Sequence, residues 1–296
     1  MKKHLFLILL ILVQVRIYGQ DNTGKFVSEQ WIVTSLKNEN PLEQVTKFES
    51  NFPSEASKKN RMENSSTDPY LSLTKINLDE DVESEYILII GKDYSRTMFY
   101  VIDDNFKIIY QEYLWLFNDY PQLVIYNSND QHKILSFRYL YGRGSGRWLF
   151  TKQFFKVFDG KVYLVLEIAD DSNNTFNYKG INGQIELTKI DEYNGEIFLN
   201  YSYNIYPHQK VLEDLGIVDE NYSLIKKDNQ SFIYNFDATS KKFMLTGIAK
   251  SSMKDKYFLE PGNDSLFLKA FTKELDEIEF NGSNNDKKVV KFLRKK

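Results

Sequence analysis

The stretch TKIDEYNGEIFLNYSYNI, Thr188 to Ile205, decides the fold class. Asn194-Gly195 divides two β-rich runs, and an Asn-Gly pair supplies the positive φ angles of a tight hairpin turn. Beyond it Ile197, Leu199, Tyr201, Tyr203 and Ile205 fall on one face, with Asn200, Ser202 and Asn204 on the other. That period of two marks a strand with one wet side. The same pattern recurs in FKVFDGKVYLVLEI, Phe155 to Ile168, turning at Asp159-Gly160. Further hairpins are predicted in MFYVIDDNFKIIY (turning at Asp104-Asn105), QLVIYNSNDQHKILSF and FIYNFDATSKKFMLTGI. The expected fold is all-β, with antiparallel hairpins in a propeller-like or sandwich body after a short helical N-terminal segment.

Outward from the hairpins, composition agrees. The chain carries 20 Tyr and 22 Phe among many Ile, which favours strands over helices. It has no Cys, so its core must hold without disulfides. The opening MKKHLFLILLILVQVRIYGQ places Lys2 and Lys3 before an apolar run from Leu5 to Val13, then Gln14, Arg16 and Gly19, the three-part layout of a secretory signal. That run is too short to span a bilayer, so cleavage after Gly19 is expected. Without a Cys for acylation, the expected product is exported, to the periplasm or beyond the cell, and is not a lipoprotein. Removing the leader takes away three basic residues and no acid, which moves the formal net charge from −3 to −6. Such a balance disfavours nucleic acid as a partner.

Four segments are expected: a leader over 1–19, an N-terminal segment over 20–70, a β-rich domain over 71–280 and a basic tail over 281–296. In the N-terminal segment PLEQVTKFESNF, Pro41 to Phe52, is the best helix candidate, with Leu42, Val45 and Phe48 on one face. The polar stretch EASKKNRMENSSTDP reads as a linker. In the β-rich domain a loose repeat of four strands runs over Leu71–Tyr113, Leu123–Ile168 and Ile185–Ile248. The third unit carries the insertion NIYPHQKVLEDLGIVDENY.

The segment INLDEDVESEYILII, Ile76 to Ile90, resembles one calcium-loop repeat of the FG-GAP or VCBS type, found in secreted β-propellers: spaced acids followed directly by an apolar strand. The resemblance implies calcium held by Asn77, Asp79, Asp81, the carbonyl of Glu83 and the carboxylate of Glu85, since a hard cation takes several oxygens in a tight turn. Glu80 and Val82 stand where the repeat usually has glycine, which makes this a degenerate loop.

YGRGSGRW, Tyr141 to Trp148, offers backbone N–H groups and Arg143, Ser145 and Arg147 as candidate contacts for an anionic ligand. Its glycines also suit a bulge or tight corner between strands. A catalytic set is thin. His132 and His208 stand alone, and the acids Glu167, Asp170 and Asp171 read as a polar loop ending a strand. Tyr113, Trp115, Phe117, Trp148, Phe150, Phe154 and Phe158 read as core aromatics before a sugar platform. The expected function is therefore a non-enzymatic binding or interaction module for a protein or glycan. A glycan hydrolase with paired carboxylates and an envelope-assembly partner are the alternatives.

Overall fold

A computed structural model describes residues 21–37, 40–53, 69–79, 81–91, 97–114, 123–127, 133–144, 147–174, 180–193, 195–219, 221–246 and 249–295. Two compact units result, one built on strands β1–β4 and the other on β5–β12.

The first unit is a meander of β1 (Tyr70–Ile76), β2 (Glu85–Gly91), β3 (Thr97–Ile102) and β4 (Ile108–Leu114), each antiparallel to the next. The unbroken apolar run of β2 is buried along its whole length, as expected of a strand covered on both faces. Helices α1 (Glu29–Leu36) and α2 (Pro41–Asn51) pack on this sheet. Pro41 opens α2 at a position where its missing N–H costs nothing. Phe48 meets Trp31 at 4.8 Å and Tyr100 at 5.1 Å between ring centroids. The buried stripe of α2 is Gln44, Val45 and Phe48, whereas Leu42 is 63% exposed and lies off the face the sequence assigned it.

The second unit is one eight-stranded sheet in chain order: β5 (Leu123–Asn127), β6 (Lys133–Gly144), β7 (Arg147–Phe158), β8 (Lys161–Asn174), β9 (Ile181–Tyr193), β10 (Glu196–Pro207), β11 (Ile225–Asp237) and β12 (Lys242–Thr246). Asp159 and Gly160 turn the β7–β8 hairpin with φ of 51° and 64°, and Tyr193 pairs with Glu196 across the next predicted turn. Along β10 burial alternates at every residue, with Ile197, Leu199, Tyr201, Tyr203 and Ile205 inside. The four-strand repeat holds in its count, but β8 pairs with β9 from Asp171–Glu186 to Asn174–Gly183. The second and third groups of four therefore form one sheet, and only β1–β4 stands as a sheet of its own.

Helix α3 (Gln209–Asp214) occupies the predicted insertion. Past β12 the chain is helical: α4 (Ala249–Leu259), α5 (Asp264–Ala270), α6 (Thr272–Asn281) and α7 (Asn284–Arg294) cover the core face of the sheet. Phe258 packs tilted or edge-on against Tyr201, Tyr203 and Phe232, with ring centroids 5.0 to 5.7 Å apart. Sequence reasoning carried the β domain to residue 280 and ended in an exposed basic tail. The helices escaped it because their aromatics, Tyr257, Phe258, Phe267 and Phe271, are equally at home in strands. In α7 the charged residues hide a stripe of Val289, Val290 and Leu293, all buried. No described helix is long and apolar enough to cross a membrane.

Candidate functional site

Because helices take one face of the β5–β12 sheet, the polar positions of its strands are left on the other. Register lines them up. Trp148 on β7 pairs with Asn173 on β8, Asn173 with Gln184 on β9, Gln184 with Asn204 on β10, and Asn204 with Lys226 on β11. Two residues along, Phe150, Asp171, Glu186 and Ser202 form a second row on the same face. The backbone of Ser172, Ile185 and Tyr203 runs between the rows as a floor, and the whole is an open groove of about 250 Å³.

A bulge sets the groove's corner. Thr151 pairs with Ala169 and Phe150 with Asp171, so Asp170 is the extra residue of β8. The Arg138 guanidinium lies 4.0 Å over the Phe150 ring, donates from Nε to Asp170 Oδ2 at 2.5 Å, and stands 3.7 Å from Asp171 Oδ2 through Nη2. Lys152 Nζ lies 3.6 Å from Asp170 on its other oxygen. Burial pushes the Asp171 carboxyl up, a hydrogen bond with Trp148 and the charge of Arg138 oppose it, and Asp170 and Glu186 add to the rise; the net direction is upward.

Within this frame Asn173 is 7% exposed, and its Oδ1 accepts no hydrogen bond among the described residues. Asn204 Oδ1 accepts from Ser223 Oγ at 2.5 Å. Gln184, Glu186 and Lys226 are exposed. No family model, curated protein or solved structure matches this chain.

Of the residues singled out by sequence, Asp171 and Trp148 line the groove. Arg143 pairs with Trp148 and Gly144 with Arg147, so the glycine-rich stretch is the β6–β7 corner, with an irregularity between Leu140 and Gly142. The side chains of Arg143 and Arg147, and all of Ser145, lie outside the described residues. So do Trp115, Phe117 and His132. Glu167, Asp170 and Asp171 belong to β8 itself, where a polar loop was expected. Glu167 accepts from Gln153 Nε2 at 2.8 Å. His208 caps α3, its Nδ1 accepting from the Lys210 N–H at 3.1 Å. Phe154 is core, as expected.

In the turn between β1 and β2, carboxylate oxygens of Asp79, Asp81 and Glu85 lie within 4.8 Å of one another. Asp79 Oδ1 accepts the Asp81 N–H at 3.1 Å and Asp81 Oδ1 the Glu83 N–H at 2.9 Å, while Asn77 Nδ2 donates to the Asp81 carbonyl. Carboxylate and amide oxygens gathered in a turn are the donor type that a calcium ion takes. Val82, which stands where the repeat usually has glycine, does not take a positive φ and is 98% exposed. Glu80 lies outside the described residues.

Sequence reasoning missed Asn173, Gln184, Glu186, Ser202, Asn204 and Lys226. Alternation had placed Ser202 and Asn204 on the polar face of β10, but only the register, shifted by bulges, makes the six neighbours.

Proposed function

We propose that this protein is an exported, non-enzymatic binding module that takes its ligand in the groove across β7–β11. The observation that carries this is Asn173, a lining residue of the groove whose buried amide oxygen has no hydrogen-bond partner among the described residues; leaving such a group unpaired costs about 1–3 kcal/mol, and a water in the free protein or a hydroxyl of the ligand supplies the donor. The surrounding groups are polar and convergent on an open surface, which suits binding in place.

The chain's lack of Cys allows a clean test. Asp228→Cys at the groove rim, labelled with an environment-sensitive dye, is screened against oligosaccharides and peptides beside a control label at Lys273→Cys on α6. A response confined to the rim supports the groove. Equal responses at both labels, or none across the panel, reject it.

Hydrolysis of a glycan is the second reading, favoured by Asp171 and Glu186 standing side by side on neighbouring strands with the Asp171 carboxyl pushed up. Reducing ends released by the purified protein, and lost in Glu186→Gln, would replace binding by catalysis.

The β1–β2 turn accompanies this as a degenerate calcium loop, supported by its convergent carboxylates and by the resemblance of Ile76–Ile90 to the FG-GAP or VCBS repeat. Calorimetric titration with Ca²⁺ is expected to release heat that disappears in Asp81→Asn. The absence of both heat and a rise in melting temperature would remove the ion.

A further inference from the structure

We infer that the groove binds a neutral oligosaccharide laid across the strands, which rests on the binding reading above and names its ligand. Neighbouring strands lie about 4.8 Å apart, so a row from β7 to β11 spans roughly 19 Å, the reach of several linked sugars.

Three competing ligand classes fit poorly. A peptide adding as a strand runs along an unpaired edge, whereas the rows of this groove cross β7 to β10, whose groove residues are paired with neighbours on both sides; the open stretch, Lys226 to Asp228 of β11, is only the far end of the groove. A folded protein partner needs apolar anchors in desolvated pockets, but Leu149, Ile185 and Tyr203 are buried on the core side, and the groove face holds amides, carboxylates and Ser202 around Trp148. A polyanion would meet Asp171 and Glu186 side by side in the middle of the floor.

A neutral sugar chain satisfies what remains. Its apolar C–H face can cover the half-buried Trp148 ring at one end. A hydroxyl both donates and accepts, so one group can donate to Asn173 Oδ1 and the next can bridge a carboxylate and the amide nitrogen of Gln184 or Asn204. Lys226 closes the far end as a donor only. The bulge at Asp170, fixed by Arg138, holds Asp171 in place before any ligand arrives.

The test is calorimetric titration of the purified protein with cellohexaose, maltohexaose and chitohexaose, an acidic oligogalacturonate, and a set of extended peptides. At least one neutral hexasaccharide is expected to bind, with affinity reduced tenfold or more in Trp148→Ala and in Asn173→Ala, and the oligogalacturonate is expected not to bind. Because Asn173 is buried, Gln184→Ala serves as the exposed companion, expected to weaken binding severalfold without changing the melting temperature. If peptides or the acidic sugar bind in a Trp148-dependent way and no neutral sugar does, the saccharide inference is overturned while the groove stands. If no probe depends on Trp148, Asn173 or Gln184, the groove and the saccharide fall together.

Discussion

Asp171 on β8 and Glu186 on β9 are direct cross-strand partners, two carboxylates side by side on the open face of the sheet. Like charges so placed destabilise a ladder. Arg138 stands 3.7 Å from Asp171 on the far side and offsets part of the repulsion.

Glu186→Gln is expected to stabilise the protein at pH 7 by about 0.5 kcal/mol, the size of one such pair after solvent screening. Burial first, and Glu186 among the charges, hold the Asp171 carboxyl above its ordinary value of 3.8. The folded state therefore binds this proton more tightly than the unfolded one, and stability attributable to it is gained as pH falls through the raised value. The gain from Glu186→Gln should shrink over that same interval. Carboxyl titration by NMR should show Asp171 moving toward 3.8 in the variant; an unmoved titration would show that the pair does not interact.

Beneath the core face, Tyr234 Oη donates to Asp255 Oδ1 at 2.5 Å, tying β11 to α4. Burial raises the Asp255 carboxyl, and the Tyr234 hydrogen bond and Lys256 pull it partly back. Tyr234→Phe removes the donor and leaves the carboxylate desolvated, so a loss of about 2 kcal/mol is expected at pH 7. The loss should be smaller below the raised value, where the acid carries a proton. Denaturant melts at pH 7 and pH 4 read both, and equal losses at the two would contradict the role given to Asp255.

The hairpins were legible because turn chemistry and period two are local. Asp159-Gly160 and the alternation of Ile197 to Ile205 could be read without knowing any neighbour. The groove was not legible, since Asn173 and Gln184 are eleven positions apart in sequence and become partners only through the β8–β9 register. The acids of β8 were misplaced for a related reason: Asp170 and Asp171 look like a loop until Arg138 and Lys152 are seen to receive them within the sheet. The C-terminal helices were hidden by composition, because Tyr257 and Phe258 carry the same apolar area in either secondary structure.

Gly160 has φ of +64° with nothing within 4 Å of an added Cβ. Space is therefore no obstacle to Gly160→Ala, and the whole cost is conformational, about 1 kcal/mol for a left-handed residue with a side chain. A thermal melt is the check. A much larger loss would mean that the substitution also disturbs the contact of Asp159 with Lys241, 3.5 Å away in the turn between β11 and β12.

The last helix is held by its first turn. Ser283 Oγ accepts the Asp286 N–H at 3.2 Å, and the Asp286 carboxylate accepts the Ser283 N–H at 3.0 Å, a reciprocal capping box. Tyr222 Oη donates to the same carboxylate at 2.5 Å, so the cap also ties α7 to the segment after α3. Burial works to raise the Asp286 carboxyl, but the hydrogen bonds from Tyr222 and Ser283 outweigh it and leave it below its ordinary value of 3.8. A depressed folded-state value means that this stabilisation is complete above pH 3.8 and is lost as pH falls through the lowered value. Ser283→Ala should cost about 1 kcal/mol at pH 7, and Tyr222→Phe should act in the same direction. The Tyr222→Phe cost, carried by the Asp286 carboxylate, should fade as that carboxylate is protonated in acid, whereas part of the Ser283→Ala cost should remain, because the bond from the Asp286 N–H to Ser283 Oγ does not depend on pH. A Tyr222→Phe cost that is undiminished in acid would show that the carboxylate does not carry it.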